Sequence, residues 1–290
     1  MGLLVFVLLV VGAAAHPLLQ ATIWNGQGSI YDPETGNDRD LEHPTGPSVA
    51  HPLGIDALGR DVLSTLTFSL APALQVTVLA ALLVGLLSIT FGSLAAFFRG
   101  WVDLAVTSVG DALSLLPPTI ALLVVGVGRP ALGMIDAGLL FGVLYGLGPA
   151  VLVVRSRAFA VMEKPFIDAA RIAGAGWGRI IRNQMLPHLL PYAGTQMMGA
   201  GIAALTSVAF IQYLGATDQS RVGLGSMIYT AIDVQPVLPT GFGSFNMGDF
   251  HARIGWTSLL AAGLAMTLIA AAFYLVAVGS RDAVIRRGRR

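Results

Sequence analysis

The chain has 290 residues, 55% of them hydrophobic and only 11% charged, with a formal net charge of +1. An ordinary soluble domain carries about 25% charged residues, so a mean hydropathy of +0.75 places this chain in a membrane, and the near-neutral charge carries no signal for nucleic acid. There is no cysteine, which excludes disulfides, and the single lysine, Lys164, stands between Glu163 and Pro165, so the chain has no GxxxxGK[ST] phosphate loop.

Residues 1–23 are almost continuously apolar and are expected to form a first transmembrane helix. Ala13-Ala14-Ala15 looks like a signal-peptide cleavage site, but no basic segment precedes the apolar run. Residues 24–70 read as a polar loop, rich in Gly, Pro and Asp, that ends in a membrane-surface elbow. His16, His43 and His51 lie in or near this loop without HxxxH or HExxH spacing, so no metal site is expected. In the elbow, Asp56, Gly59, Arg60 and Asp61 stand close together. Asp56, Arg60 and Asp61 are expected to pair there and fix the entry of the next helix.

Residues 71–290 read as a core of five further spans. Helix two is expected over residues 71–98, followed by a tight turn over residues 99–103 with Trp101 at the interface. Helix three, residues 104–127, contains Asp111 and Pro117-Pro118. A carboxylate at helix depth costs about 2.5–3.5 kcal/mol on insertion scales, so Asp111 faces protein or water. A structural pairing near the helix end is the plainer reading of it. A proton or ion relay is the sharper one, and no chain of further acids or histidines continues it. The two prolines break the helix ladder, which is tolerated only where neighbours or a cavity satisfy the freed carbonyls. Helix four, residues 134–154, carries Gly138, Gly142 and Gly146 every four residues, the stripe that lets helices approach closely.

Residues 155–191 are the only sizeable polar interruption in the second half before the loop that begins at Gly215. Pro165 suits a first helical turn. Phe166, Ala169, Ala170 and Ala173 then recur at i, i+3, i+4 and i+7, which predicts one apolar helical face. Gly174, Gly176 and Gly178 are expected to break that helix. A second short helix follows, with Trp177, Ile180, Ile181 and Met185 on one face and Pro187 and Pro191 limiting it. The pattern predicts a helix, a glycine turn and a helix at the membrane surface, a knuckle suited to a groove on a soluble partner. Helix five is expected over residues 192–214, a second polar loop over 215–255, helix six over 256–279, and a basic tail over 280–290.

Two motifs carry a family resemblance. Asp168-Ala169-Ala170, Gly174 and Leu186-Pro187 resemble the EAA loop of bacterial ABC-importer permeases, with Asp168 where that loop has Glu. His51-Pro52-Leu53-Gly54-Ile55-Asp56-Ala57-Leu58-Gly59-Arg60-Asp61 through Ser64 is similar to the HPLGTDxLGRDxxS signature of the C-type permease subunit of dipeptide and oligopeptide importers. The resemblance implies an all-α polytopic membrane protein with about six transmembrane helices. It implies that Asp168, Ala169, Ala170, Arg171, Gly174, Ala175, Gly176 and Trp177 couple the chain to cytoplasmic ABC ATPase subunits. It also implies a second permease as heterodimer partner and an extracytoplasmic peptide-binding protein. A bend at Asp111, Pro117 and Pro118 would line the pathway. No cofactor is expected on this chain; ATP and magnesium would belong to the partner ATPases, so the chain itself is not expected to be an enzyme. Family members carry a basic stretch before the first helix, so the start reads as trimmed or mis-assigned. Residues 233–250 look like an insertion, and no carboxylate lies between Val208 and Leu214 where the family has a Glu. Relatives that carry nickel or glutathione stay open, as does, from another class, a secondary transporter or channel.

Orientation follows from charge. Arg99, Arg155, Arg157, Lys164, Arg171, Arg179 and Arg182, with Arg281, Arg286, Arg287, Arg289 and Arg290, fall on one side; Arg39, Arg60, Arg129, Arg221 and Arg253 fall on the other. The richer side is expected to be the cytoplasm of a bacterium, with both termini and the knuckle there and the acidic first loop outside.

Overall fold

The computed structural model describes residues 2–24, 28–37, 45–129, 132–217, 222–234 and 256–287. The described residues are helical, with isolated β-bridges Thr45–Ile55 and Ile55–Asp61 and no strand. Asp38, Arg39, Asp40, Glu42 and His43, Pro130, Arg221, most of the 233–250 segment, Arg253, Arg289 and Arg290 lie outside the described residues.

The elements are α1 (Gly2–Thr22), α2 (Gly28–Tyr31), α3 (Val62–Phe98), α4 (Gly100–Ser114), α5 (Pro118–Gly128), α6 (Met134–Tyr145), α7 (Val151–Met162), α8 (Pro165–Ile172), α9 (Trp177–Ile180), α10 (Leu186–Tyr213), α11 (Leu224–Tyr229) and α12 (Trp256–Arg287). Wide π turns at Gly146–Ala150 and Ile181–Met185 join α6 to α7 and α9 to α10. Among the described residues five of the resulting rods are long and apolar enough to cross a membrane, and the bent pair α4 and α5 brings the number to six if it is counted as one broken span.

α3 is the central rod, packed on α1, α6, α7 and α10. It begins at Val62, nine residues earlier than the apolar pattern predicts. The difference has a physical cause. The first turns are rich in hydroxyls, and these bond back into the helix: Thr65 to Asp61 O, Thr67 to Leu63 O and Ser69 to Thr65 O. Polar side chains are thereby satisfied without leaving the helix. α6 lies against α3 along the glycine stripe. A Cβ at Gly138, Gly142 or Gly146 would press on Val76, Leu83 or Leu87 respectively.

Three apolar clusters run along the bundle. One joins α1, α3, α10, α11 and α12 around Leu70, Leu205 and Ile269. A second joins α3, α5, α6 and α10 around Val84, Leu122 and Phe141. The third lies at the end holding α8, around Val154, Ile167, Ile180 and Met185.

Other boundaries also move. The turn expected over residues 99–103 shrinks to a single residue, Arg99, with φ 53, because α4 starts at Gly100. The rod expected to end at residue 154 continues to Met162. Its arginines both meet partners: Arg155 bonds Asp103, and the exposed Arg157 lies over the Tyr192 ring at 4.9 Å. α9 and α10 form one 37-residue rod, Trp177–Tyr213, so Pro187 and Pro191 do not end the helix. In the wide turn, Leu186 N–H donates to Ile181 O, five residues back, which gives the following proline ring room. α12 runs to Arg287 rather than ending at residue 279.

Candidate functional site

The knuckle is built by local rules. Pro165 occupies the first turn of α8, where its missing N–H costs nothing, and Asp168 lies in that first turn, where the helix dipole favours negative charge. Gly174, with φ 78, closes α8: its N–H donates to Arg171 O at 2.9 Å and Ala175 N–H donates to Ala170 O at 3.0 Å. These two bonds define a Schellman cap, which requires the left-handed conformation that glycine adopts without strain. Gly176 then stands at the start of α9 with extended backbone, while Gly178 is helical and breaks nothing.

The apolar faces differ from the predicted ones. Ile167 is fully buried, flanked by the part-buried Phe166 and Ala170, whereas Ala169 and Ala173 are exposed. Burying Ile167 contributes about 1.5–3 kcal/mol to holding α8 on the bundle. In the second half, Ile180 and Met185 are buried, but Trp177 is 58% exposed and touches the Phe98 ring. Ile172 is 89% exposed. Ala169, Ile172, Ala173 and Trp177 therefore form an apolar edge that the chain itself leaves uncovered, next to an exposed Asp168–Arg171 contact of 3.4 Å.

The elbow is closed on itself. Asp56 accepts from Leu58 N–H and Arg60 N–H, each at 2.9 Å, and Gly59 makes the return with φ 83. Arg60 donates to Asp56 Oδ2 at 3.0 Å and reaches Thr230 Oγ1 at 3.2 Å, tying the elbow to the segment after α11. Asp61 does not join that pair. It caps α3 by accepting from Ser64 N–H at 2.7 Å and shares a 2.8 Å hydrogen bond with His51 Nδ1. Burial pushes the Asp61 carboxyl above its ordinary range, against the hydrogen bonds from His51 and Ser64 that favour the charged form. His51 is the partner that sequence reasoning missed; it heads the elbow motif, but a ten-residue separation across a loop leaves no periodic signal.

The bend at Pro117 and Pro118 is real: α4 and α5 meet at 73°. Asp111 is exposed on α4, and the pairing expected of it is made instead by Asp103, whose two carboxylate oxygens take Arg155, one of them at 2.6 Å. Arg99 and Arg155 both stack on Phe159. Beyond the bend, Thr119 and Ser207 share a hydrogen bond of 2.6 Å between α5 and α10.

Fold and site together define a multi-pass membrane protein, helical among the described residues, in which the link between α7 and α10 is a folded helix–turn–helix rather than an open loop. The chain belongs to the family described as "Binding-protein-dependent transport system inner membrane component", whose model matches residues 88–290. It is 27% identical over 271 residues to a glutathione transport system permease protein of Pectobacterium atrosepticum, covering 92% of this chain and 82% of that one. It is 26% identical over 243 residues to a dipeptide transport system permease protein of Alkalihalophilus pseudofirmus, covering 82% and 73%. The corresponding dipeptide permease protein of Bacillus subtilis is 27% identical over 246 residues, covering 84% and 71%.

Proposed function

We propose that this chain is one permease subunit of an ATP-driven importer of small peptides in a bacterial cytoplasmic membrane. Its partners are a second permease, cytoplasmic ABC ATPase subunits and an extracytoplasmic peptide-binding protein. The observation that carries the reading is the uncovered apolar edge of the knuckle, on a chain whose family serves binding-protein-dependent transport. Ile172 and Trp177 are large, exposed and held on capped short helices, the arrangement that docks into a groove of a soluble partner. Asp168 through Trp177 is the segment that meets the ATPases, with both chain termini on the same cytoplasmic side. ATP and magnesium bind the ATPase subunits; this chain binds neither and hydrolyses nothing. The named relatives transport dipeptides or glutathione, both small peptidic molecules, which supports that substrate class over a metal ion. ATP-driven closure of the ATPases displaces the knuckle, and the helices it belongs to switch the pathway, with the bend at Asp111, Pro117 and Pro118 along its wall.

The test is a tagged chain purified from its native host and reconstituted. An ATPase subunit is expected to copurify, and labelled dipeptide is expected to enter vesicles only with ATP and binding protein. Glutathione is expected to compete and nickel is not. A chain that purifies without an ATPase and moves peptide without ATP is a secondary transporter, and the proposal fails.

A further inference from the structure

On one side of the bundle α3, α4, the wide turn at Gly146–Ala150 and the start of α7 form a groove of about 230 Å³. Phe91, Ala105, Val106, Val109, Leu147 and Val151 line it, and none of them has a polar side-chain atom. Phe91 is 37% and Val109 49% exposed, so the groove is open along one side. A helix is about 10–12 Å across, so the groove admits a hydrocarbon tail or single side chains rather than a whole helix.

The groove leads to a charged cluster. Val151, Arg155 and Phe159 stand at i, i+4 and i+8 on one face of α7. The Arg155 guanidinium lies 4.9 Å from the Phe159 ring and is taken by Asp103. Arg99 lies over the same ring at 5.6 Å. Phe159 is eight residues beyond Val151, about 12 Å along the helix, so both guanidinium groups sit past one end of the groove. Arg99 is exposed, and its guanidinium makes no ion pair or hydrogen bond among the described residues. Two arginines and one aspartate leave this cluster one positive charge in excess. Asp111 lies eight residues deeper on α4 than Asp103, and two residues past Val109, which turns it to the opposite side of α4 from that lining residue.

The depth of the cluster in the bilayer is marked by Trp101. It follows Arg99 by two residues and is 81% exposed, and exposed tryptophans of membrane proteins gather at the level of the lipid headgroups. Arg99 is also the one non-glycine residue with positive φ among the described residues, φ 53 with ψ −161, a position whose backbone favours glycine. An arginine is therefore kept at headgroup level where the turn alone calls for no side chain.

We infer that this groove binds an acidic phospholipid, with one acyl tail along Phe91 and Val109 and the headgroup phosphate on Arg99. A guanidinium donates paired N–H groups to phosphate. The excess positive charge favours a headgroup of net negative charge over a zwitterionic one. In the orientation proposed above the lipid belongs to the cytoplasmic leaflet; the contact itself does not depend on that orientation.

The test is native mass spectrometry of the full-length chain, alone and with the subunits that copurify with it, titrated in detergent with dioleoyl phosphatidylglycerol or dioleoyl phosphatidylcholine. The Kd of the first bound phosphatidylglycerol is expected to be lower by roughly fivefold, the effect of one basic side chain on an acidic lipid. Arg99→Gln is expected to bring the two Kd values together. Arg99→Gly is expected to do the same while melting at or above the parent's temperature, because glycine suits φ 53; lost binding in that variant is not a lost fold. Ala105→Trp, at an exposed lining position, is expected to weaken both lipids and leave their ratio unchanged. Equal Kd values in the parent overturn the inference. So does a preference that survives both Arg99 substitutions, or an Ala105→Trp variant that binds both lipids as the parent does. Binding to the chain alone but not to the assembled complex gives the groove to a neighbouring subunit and overturns it too. The titration needs no transport, so failure of the peptide-importer reading leaves it measurable.

Discussion

In the elbow, His51, Asp56, Arg60 and Asp61 are all buried, and the charged groups meet partners at 2.8 to 3.2 Å. In the knuckle, the Asp168–Arg171 contact stretches to 3.4 Å between exposed side chains, and Ile172 and Trp177 are left exposed. Both regions are short polar links between spans with a glycine at positive φ, Gly59 in one and Gly174 in the other. The difference is in what remains unsatisfied. The elbow is complete within one chain and sets where α3 begins. The knuckle is folded, but Ile172 and Trp177 stay exposed, and under the function proposed above their contacts are made by another molecule.

The comparison breaks most sharply on which side each region occupies. A cysteine at exposed Val49 is expected to react with an impermeant maleimide in intact cells, and one at Arg182 only after permeabilisation. Full labelling of Arg182→Cys from outside would reverse the assigned orientation. Next in size, Asp61→Ala removes the buried hydrogen-bond partner of His51, a loss of about 1–3 kcal/mol, and deletes the α3 cap, worth about 1 kcal/mol more. The detergent-purified variant is expected to melt well below the parent. A melting curve that overlays the parent would show that the elbow is not a fixed joint. Gly174→Pro is expected to leave membrane level and melting nearly unchanged while abolishing peptide-stimulated ATP hydrolysis in the assembled transporter, because proline cannot adopt φ 78. Normal coupling in that variant would remove the knuckle from the mechanism. The smallest effect on the fold is expected from Ile172→Ala with Trp177→Ala, within about 0.5 kcal/mol for exposed sites. The same pair is expected to lose the ATPase on purification. Retention of the ATPase would place the docking edge elsewhere.

Much of the helical bundle is legible in the sequence because apolar runs of about 20 residues have one stable solution in a bilayer. The Schellman turn is legible too, since Gly174 follows an amphipathic helix that opens on Pro165. Prolines divided the outcomes. At Pro117-Pro118 the chain bends as expected, because two adjacent residues lack an N–H. At Pro187 a wide turn absorbs the defect and the rod runs on, a register change that residue identity alone does not announce. The face of α8 shifted from Ala169 and Ala173 to Ile167 because α8 spans only eight residues. Over two turns, the larger side chain nearest the bundle decides which face is buried. The His51–Asp61 and Arg155–Asp103 pairs were not legible, since each depends on how separate segments meet in space.

The wide turn at Ile181–Met185 has a mechanical consequence. The rod from Trp177 to Tyr213 has 37 residues, which at 1.5 Å each is about 55 Å, against a hydrocarbon layer of about 30 Å. One end carries the exposed Trp177, and near the other Gln212 Oε1 accepts from Gly225 N–H at 3.1 Å. Under the function proposed above, such a rod works as a crankshaft: a twist applied at Trp177 is carried along it towards α11, and the wide turn near Trp177 is the one compliant joint in that shaft.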